Sequence, residues 1–368
     1  MRNFLLALSV AGSIAASLFL QLEGTEASAQ TRAATPTKSP TPLSIATPTG
    51  TPKSSPTPDD EVIKVDTELV NLSVRVVDRN NRPINNLSEK EFKILEDGVP
   101  QQIDFFSKSD VPTNYGIVVD NSGSLRQQLD KVVEAGKILV NTNRPADETM
   151  IIRFVGRDKI EIEQPFTSNK TDLNDALDNL YTEGGQTAII DAVYLAVENI
   201  DEYEKNQKDD HKRRALILVS DGEDRNSYYN EKQLFDLLKE SEVQIYVVGF
   251  VDDLSKDGGF ISKSPQAKAK AFLERLANET GGKAYFPKSS AEMPELARDI
   301  SNELRTQYSI GYIPSNDRRD GTYRSIKVQV SDGPNAQKRI AISRSGRTAE
   351  GGPAPSTGPK VTATPIKP

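Results

Sequence analysis

Two short segments place carboxylates and hydroxyls where metal chemistry could occur. DNSGS (residues 120–124) follows the apolar run YGIVV, and DGED (residues 221–224) follows the run ALILVS. A third segment, EGGQTAIIDA, brings Thr187 to the start of a helical pattern. If the three segments meet at one edge of a sheet, two carboxylates and three hydroxyls become candidate metal ligands. These are Asp120, Ser122, Ser124, Thr187 and Asp221.

Oxygen donors of this kind favour hard divalent cations. Carboxylate and hydroxyl oxygens suit Mg²⁺, Mn²⁺ or Ca²⁺ rather than zinc or copper. The chain also has no cysteine and only one histidine for a softer metal. We predict Mg²⁺, with Mn²⁺ and Ca²⁺ as the alternatives. Because the hydroxyl ligands are neutral, a bound dication stays under-neutralised and attracts an external carboxylate.

The apolar runs between these segments predict the scaffold. YGIVV, TMIIRFV, ALILVS and VQIYVVGF are almost wholly apolar and alternate with helical patterns. This alternation is typical of a parallel sheet covered on both faces. We therefore predict an α/β, doubly wound domain over residues 114–306. In open α/β sheets, ligands bind beyond the carboxyl ends of the strands, which is where Asp120 and Asp221 are expected to lie.

Alternating β patterns flank this domain. LVNLSVRVVD alternates like a half-buried strand, with Arg75 on the polar face. The segments 66–113 and 307–344 each have too few strands to close a core alone. We expect them to pair in one β-sandwich, with the α/β domain inserted between them. Residues 345–368, rich in Gly, Pro and Thr, are expected to be a disordered tail.

The N-terminal residues predict export. Residues 1–29 combine a basic residue, an apolar run and a small-x-small site, as a secretory signal peptide does. An uncleaved membrane anchor is the alternative. Residues 30–65 are rich in Pro, Thr and Ser and are expected to form a disordered linker. A secreted or periplasmic location follows, with no membrane span after signal cleavage.

Composition excludes several classes of function. The formal net charge of −7 and the lack of a dense basic stripe argue against a nucleic-acid partner. His211, the only histidine, lies in a charged segment, and Gly-x-Ser-x-Gly does not surround Ser122. Both observations argue against a Ser-His-Asp hydrolase. Without cysteine, the fold must depend on an apolar core instead of disulfides.

The pattern Asp-x-Ser-x-Ser, followed by Thr187 and Asp221, resembles the metal-ion-dependent adhesion site of von Willebrand factor type A domains. The resemblance covers the α/β domain and implies a Rossmann-like fold. It implies that Ser122, Ser124 and, in some conformations, Thr187 bind the cation directly. Asp120 and Asp221 are implied to act directly or through water, and a Glu or Asp of a protein partner completes the coordination. The layout of residues 66–343 also resembles secreted, acidobacterial-type VWFA-related proteins.

The expected function is a protein-binding module, not an enzyme, that captures an acidic residue of a partner through its cation. Two alternatives stay open: a metal-dependent hydrolase at the same edge, and an envelope assembly or scaffold protein with a degenerate metal site. General acid–base catalysis needs a titratable group near the metal, and the sequence offers only carboxylates there. Taken singly, Ser124 and Thr187 also fit helix N-caps.

Overall fold

The computed structural model describes residues 69–108, 111–205, 212–257 and 263–349. The predicted signal peptide, the linker, His211 and the tail beyond residue 349 lie outside these ranges, so the expectations about them stay predictions. In the described part of the chain, no helix is both long enough and apolar enough to cross a membrane.

Along the described part of the chain, four strands come first, alternating strands and helices follow, and four more strands come last. The first strands are β1 (Val70–Val77), β2 (Phe92–Glu96), β3 (Val99–Gln101) and β4 (Phe105–Ser107). The alternating elements are β5 (Thr113–Asp120), α1 (Leu129–Asn141), β6 (Glu148–Phe154), β7 (Ile160–Thr167), α2 (Lys170–Asp178), α3 (Ile189–Lys205), β8 (Arg213–Ser220), α4 (Glu231–Glu240), β9 (Gln244–Gly249), α5 (Pro265–Thr280), β10 (Lys283–Tyr285) and α6 (Met293–Arg305). The last strands are β11 (Tyr308–Tyr312), β12 (Tyr323–Val330), β13 (Ile340–Ile342) and β14 (Gly346–Thr348).

The alternating elements build a six-stranded sheet in the order β10-β9-β8-β5-β6-β7. All neighbours are parallel except the edge strand β7, which is antiparallel to β6. Helices α3, α4 and α5 pack an apolar cluster on one face, and α1, α2 and α6 pack a second cluster on the other. The predicted doubly wound α/β fold is confirmed. The apolar runs did not reveal β7, because this edge strand is mostly only partly buried and carries charged residues between its apolar ones.

The strands on either side of the α/β unit pair with one another. One four-stranded sheet has the order β13-β1-β11-β4 and the other has the order β14-β12-β2-β3, so each contains strands from both ends. The antiparallel register pairs Val70 with Tyr312 in the first sheet and Ile94 with Val328 in the second. One apolar cluster takes side chains from both sheets. The expected joint β-sandwich is what the structure contains.

The polar face of β1 is partly buried at Asn71 and Ser73 and fully buried at Arg75, so the expectation of a half-buried strand fails at Arg75. Arg75 is only 4% exposed. Its Nη2 donates to the Gly282 carbonyl at 3.1 Å, and its Nη1 lies 3.1 Å from Glu303 Oε2. The side chain of Gln244 also donates to the Ser73 carbonyl at 3.3 Å. Arg75 and Ser73 therefore connect this face of β1 to the α/β unit.

The predicted disordered tail begins too early in the chain. Residues 346–348 form β14, which pairs with β12. Arg347 is 4% exposed, and its Nε lies 3.1 Å from Glu96 Oε2. The Tyr312 hydroxyl donates to the same oxygen at 2.5 Å. This segment has no apolar run, and the contacts that order it, the pairing with β12 and the ion pair with Glu96, are both made with distant strands.

Candidate functional site

The carboxyl edge of the six-stranded sheet brings Asp120 and Asp221 together. Strands β5 and β8 are parallel neighbours whose register pairs Val119 with Val219. Consequently Asp120, at the end of β5, lies beside Ser220 at the end of β8, and Asp221 follows directly. Both aspartates are almost completely buried. This is the edge where the sequence predicted that the candidate ligands would meet.

The turn after β5 groups two hydroxyls. The Ser122 amide donates to Asp120 Oδ1 at 2.9 Å, which closes a local turn typical of aspartate. The hydroxyl oxygens of Ser122 and Ser124 lie 2.8 Å apart. Ser122 is buried, whereas Ser124 is exposed. The N-cap of α1 is Gln128, so the alternative that Ser124 caps this helix is wrong.

Ser220 completes the hydrogen bonding of Asp120, and sequence reasoning missed it. Its hydroxyl donates to Asp120 Oδ2 at 2.8 Å and accepts a hydrogen bond from the Gly222 amide at 3.1 Å. In the same loop, the Glu223 amide donates to Asp221 Oδ1 at 3.0 Å. Each oxygen of Asp120 therefore has a protein donor. The available signal was positional, since Ser220 ends the strand next to β5.

Thr187 is held by its backbone against the loop that follows Asp221. Its carbonyl accepts hydrogen bonds from the amides of Arg225 at 2.8 Å and Asn226 at 3.1 Å. The residue is 5% exposed and lies just before α3, which begins at Ile189. With the described residues, its hydroxyl forms no hydrogen bond. That oxygen is therefore available to a ligand.

A further pair of hydrogen bonds attaches the loop that carries Thr187 to the turn after Asp120. The side-chain amide of Asn121 donates to the Tyr181 carbonyl at 2.6 Å. In return, the Glu183 amide donates to the Asn121 carbonyl at 2.8 Å. Asn121 itself is fully buried, and its bond to the Tyr181 carbonyl is partly buried. They fix the two segments that carry candidate ligands relative to each other.

Arg153 on β6 supports the same loop, and the sequence analysis did not identify it. Its side chain donates to the Tyr181 hydroxyl at 2.8 Å, and its guanidinium carbon lies 4.4 Å from the centre of the Tyr181 ring. It forms ion pairs with Glu161 and Glu163 on β7 and lies 3.6 Å from Glu183. Buried charges need such partners. The signal in the sequence was an arginine inside the apolar run TMIIRFV.

Among the residues that the structure describes, the two aspartates have no positively charged partner. Within the described residues, no Lys or Arg forms an ion pair with Asp120 or Asp221. Burial, and then the nearby charge of Asp221, raise the pKa of Asp120 to about 6, while hydrogen bonds from Ser122 and Ser220 act in the opposite direction. Like charges in a buried site favour either a proton or a bound cation.

The donor set fits a hard divalent cation only if the hydroxyls take part. Across the described ranges, no three or more His, Cys, Asp or Glu side chains form a metal-binding group. Two carboxylates and the neighbouring hydroxyls supply oxygen donors alone, which suit Mg²⁺, Mn²⁺ or Ca²⁺. The structure therefore brings together the residue types that such an ion requires, with the charge coming from the two aspartates.

Comparison with known families identifies the α/β unit. The family model of the von Willebrand factor type A domain matches residues 116–299. The chain belongs to this family. Its VWA domain, as matched, begins within β5, ends within α6 and contains all five candidate residues. VWA domains are protein-interaction modules that are generally not catalytic, and many carry a metal-ion-dependent adhesion site.

Individual proteins resemble the chain at low identity. The uncharacterized protein sll0103 of Synechocystis sp. is 26% identical over 212 residues, covering 57% of this chain and 47% of that protein. The chain thus spans about half the length of this curated relative. A solved von Willebrand factor type A structure from Catenulispora acidiphila is 12% identical, with a TM-score of 0.42, and covers 77% of this chain and 75% of its own. Proximal thread matrix protein 1 from the mussel byssus, with zinc in its MIDAS motif, is 18% identical, with a TM-score of 0.43 and coverages of 54% and 49%.

Proposed function

We propose that the VWA domain binds a divalent cation and, through it, a carboxylate of a protein partner. The observation that carries the proposal is the buried pair Asp120 and Asp221, which has no cationic partner in the described part of the chain and adjoins the hydroxyl pair of Ser122 and Ser124. Burying two like charges is costly, and a dication offsets that cost. Mg²⁺ is the proposed ion, and the same oxygen donors also accept Mn²⁺ or Ca²⁺.

The proposed ligands divide into two kinds. The hydroxyls of Ser122, Ser124 and Thr187 are neutral ligands, and the two aspartates supply the negative charge. When bound, the cation offers an electrophilic position to an Asp or Glu carboxylate of the partner. Asp120 fixes the serine turn through the Ser122 amide.

Binding rather than catalysis is the proposed outcome. A serine nucleophile needs a base within hydrogen-bond reach. The Ser122 hydroxyl instead lies against the Ser124 hydroxyl, and both oxygens of Asp120 already accept hydrogen bonds. The described geometry therefore supports an adhesion-type site better than a hydrolase with Ser122 as its nucleophile.

Thermal unfolding of the full chain tests the metal site. The protein is unfolded in EDTA and then with Mg²⁺, Mn²⁺ or Ca²⁺, as wild type, Asp120→Ala and the control Asp158→Ala. Asp158 lies near the same sheet edge with its side chain 90% exposed. A ligand that binds only the native state raises stability by about 2.7 kcal/mol at 100 times its dissociation constant. We expect this rise in wild type and in the control, and its loss in Asp120→Ala; an undiminished rise in Asp120→Ala would reject the site.

We also propose that the protein is exported. Residues 30–65 would then act as a spacer between the folded part and whatever the N-terminus is attached to. The support is the signal-like pattern of residues 1–29 and the Pro-rich composition that follows. The intact mass of protein recovered from the periplasm or medium should correspond to a chain that begins at Gln30. A full-length mass in the membrane fraction would instead support the uncleaved anchor.

A further inference from the structure

Asp191, in the first turn of α3, is a buried carboxylate outside the proposed ligand set. It has no exposed surface. Its Oδ2 accepts a hydrogen bond from the Tyr228 amide at 2.7 Å, and its Oδ1 accepts one from the Tyr229 amide at 2.9 Å. Both amides belong to residues 221–230, called the Asp221 loop below, which form no helix or strand. Buried backbone amides outside helices and strands need such acceptors, so Asp191 supports the fold of this loop.

The Asp221 loop in turn holds the start of α3. Asp224 Oδ1 accepts a hydrogen bond from the Ile190 amide at 3.2 Å, and Ser227 Oγ accepts one from the Asp191 amide at 3.2 Å. Amides in the first turn of a helix have no acceptor within that helix. The start of α3 and the Asp221 loop therefore complete each other's backbone hydrogen bonds.

This contact links two candidate ligands that belong to separate segments. Thr187 lies just before α3, and its carbonyl accepts the amides of Arg225 and Asn226 in the Asp221 loop. A shift of this loop relative to α3 would change the separation of the Thr187 hydroxyl and the Asp221 carboxylate. Asp191 opposes such a shift, because it holds the other end of the loop.

Divalent cations differ in how strongly they depend on fixed ligands. Mg²⁺ requires near-ideal octahedral coordination with oxygens at about 2.0–2.1 Å, whereas Ca²⁺ accepts oxygens at about 2.3–2.6 Å in flexible arrangements. Ligands that are held in fixed positions can therefore favour Mg²⁺, and ligands that move relative to each other lose that preference.

We propose that Asp191 is a positioning residue that sets the preference of the site for Mg²⁺ over Ca²⁺. Both of its carboxylate oxygens are taken by backbone amides, so it acts through the Asp221 loop and not as a ligand. The inference rests on the proposed function, because it requires that Thr187 and Asp221 both bind the cation.

Isothermal titration calorimetry on the full chain measures the affinities of Mg²⁺ and Ca²⁺ for wild type, Asp191→Asn and the control Asp147→Asn. In each variant, asparagine replaces one acceptor oxygen with an NH₂ donor. Asp147 is a matched control, because it is also buried and accepts the Thr113 and Arg144 amides at 2.9 and 2.8 Å. It lies just before β6, at the amino end of the strands and so across the sheet from the site.

We expect Asp191→Asn to weaken Mg²⁺ binding by about tenfold, the effect of losing roughly one hydrogen bond to a charged group, and Ca²⁺ binding by much less. Loss of a negative charge alone would weaken both ions alike, so a fall in the ratio of the two affinities reports ligand position. In EDTA, hydrogen exchange at the Arg225 and Asn226 amides should accelerate, since Asp191 holds their loop. Asp147→Asn should lose stability but keep both affinities and the slow exchange.

Three results would overturn the inference. They are an unchanged affinity ratio in Asp191→Asn, unchanged exchange at Arg225 and Asn226, and an equal fall of the ratio in Asp147→Asn. If Asp191→Asn does not fold, Ser227→Ala takes its place, because it removes the acceptor of the Asp191 amide from a side chain that is only partly buried. It should lower the ratio in the same direction, and an unchanged ratio would reject the inference.

The proposed function has a separate readout in the same titrations. If wild type binds neither ion, the metal site fails and this inference fails with it. If wild type binds Mg²⁺ and the ratio is the same in Asp191→Asn, the metal site stands and only the role of Asp191 is rejected.

Discussion

The Ser220 hydroxyl donates a hydrogen bond to Asp120 Oδ2 at 2.8 Å and joins the ends of two neighbouring strands. Both residues have no exposed surface. The same hydroxyl accepts from the Gly222 amide, so one side chain fixes the Asp120 carboxylate and the path of the loop after Asp221. Ser220 therefore positions the site without belonging to the predicted ligand set.

We expect Ser220→Ala to weaken Mg²⁺ binding by about tenfold or more. A hydrogen bond to a charged group contributes about 1.5–3 kcal/mol, and its loss leaves Asp120 less well oriented. A Mg²⁺ titration followed by calorimetry measures the change.

Ser241→Ala is the matched control for Ser220→Ala. Ser241 is also buried; its hydroxyl donates to Asp201 at 3.3 Å and accepts from the Val243 amide at 3.1 Å. It lies just before β9, at the amino end of the strands and so across the sheet from the site. Both variants should lose stability, but only Ser220→Ala should lose affinity. Equal affinities in the two variants would mean that Ser220 has a purely structural role.

In EDTA, we expect Asp120→Asn to be more stable than wild type at pH 7.5. Burial and the charge of Asp221 raise the pKa of Asp120 to about 6, compared with about 4 in an unfolded chain. A raised carboxyl pKa means that the contribution of this group to stability is complete below about pH 4 and is lost as the pH rises through about 6. The neutral amide avoids that loss, which is on the order of 2–3 kcal/mol.

Denaturant unfolding at several pH values checks this expectation. The difference between Asp120→Asn and wild type should grow from pH 4 to pH 7, whereas Asp158→Asn should follow wild type throughout. Saturating Mg²⁺ should reverse the order of stability, because only wild type gains from the ion. A difference that does not change with pH would show that the Asp120 charge does not strain the metal-free fold.

We expect Arg153→Gln to loosen the loop that carries Thr187. The substitution leaves Glu163 partly buried without its guanidinium partner, and breaking a buried ion pair costs about 3–5 kcal/mol. Hydrogen exchange should accelerate at the Glu183 amide, which bonds to the Asn121 carbonyl. The double variant Arg153→Gln/Glu163→Gln should recover part of the stability. Unchanged exchange at Glu183 would show that the loop holds its position without Arg153.

Truncation distinguishes the ordered end of the sandwich from the predicted tail. A chain that ends at Arg344 lacks β14 and leaves Glu96 buried without Arg347, which should cost about 3–5 kcal/mol. A chain that ends at Ala349 keeps this ion pair and should be the more stable of the two. Denaturant unfolding compares them directly, and equal midpoints would show that β14 adds nothing to the core.

Much of the scaffold could be predicted because local patterns determine it. Near-continuous apolar strands such as β5 and β8 are buried on both faces, and their period identifies them within a short window. The carboxyl ends of parallel strands meet at one edge, which was enough to group Asp120 with Asp221. The joint sandwich could also be predicted, because neither flanking segment has enough strands for its own core.

The contacts that the sequence did not reveal are non-local. Arg75 looked like an exposed residue of an alternating strand, yet its partner Glu303 is on α6. Arg347 lies in the predicted tail, yet it forms an ion pair with Glu96 on β2. Ser220 and Arg153 belong to no recognisable sequence motif, because each forms its hydrogen bonds with a residue of another strand or loop. No single window of sequence contains both members of such pairs.

Because both sheets of the sandwich contain strands from the two ends of the chain, the sandwich can fold only after the last strands have been synthesised. Tyr312 and Glu96, which meet in its core, are separated by 216 residues. At roughly 5–20 residues per second of synthesis, β1 to β4 wait on the order of 10–40 s for their partner strands. The VWA domain can fold during that interval, while unpaired strand edges of this kind invite aggregation. In a newly made chain, the edges of the first four strands therefore stay exposed until their partner strands have been synthesised.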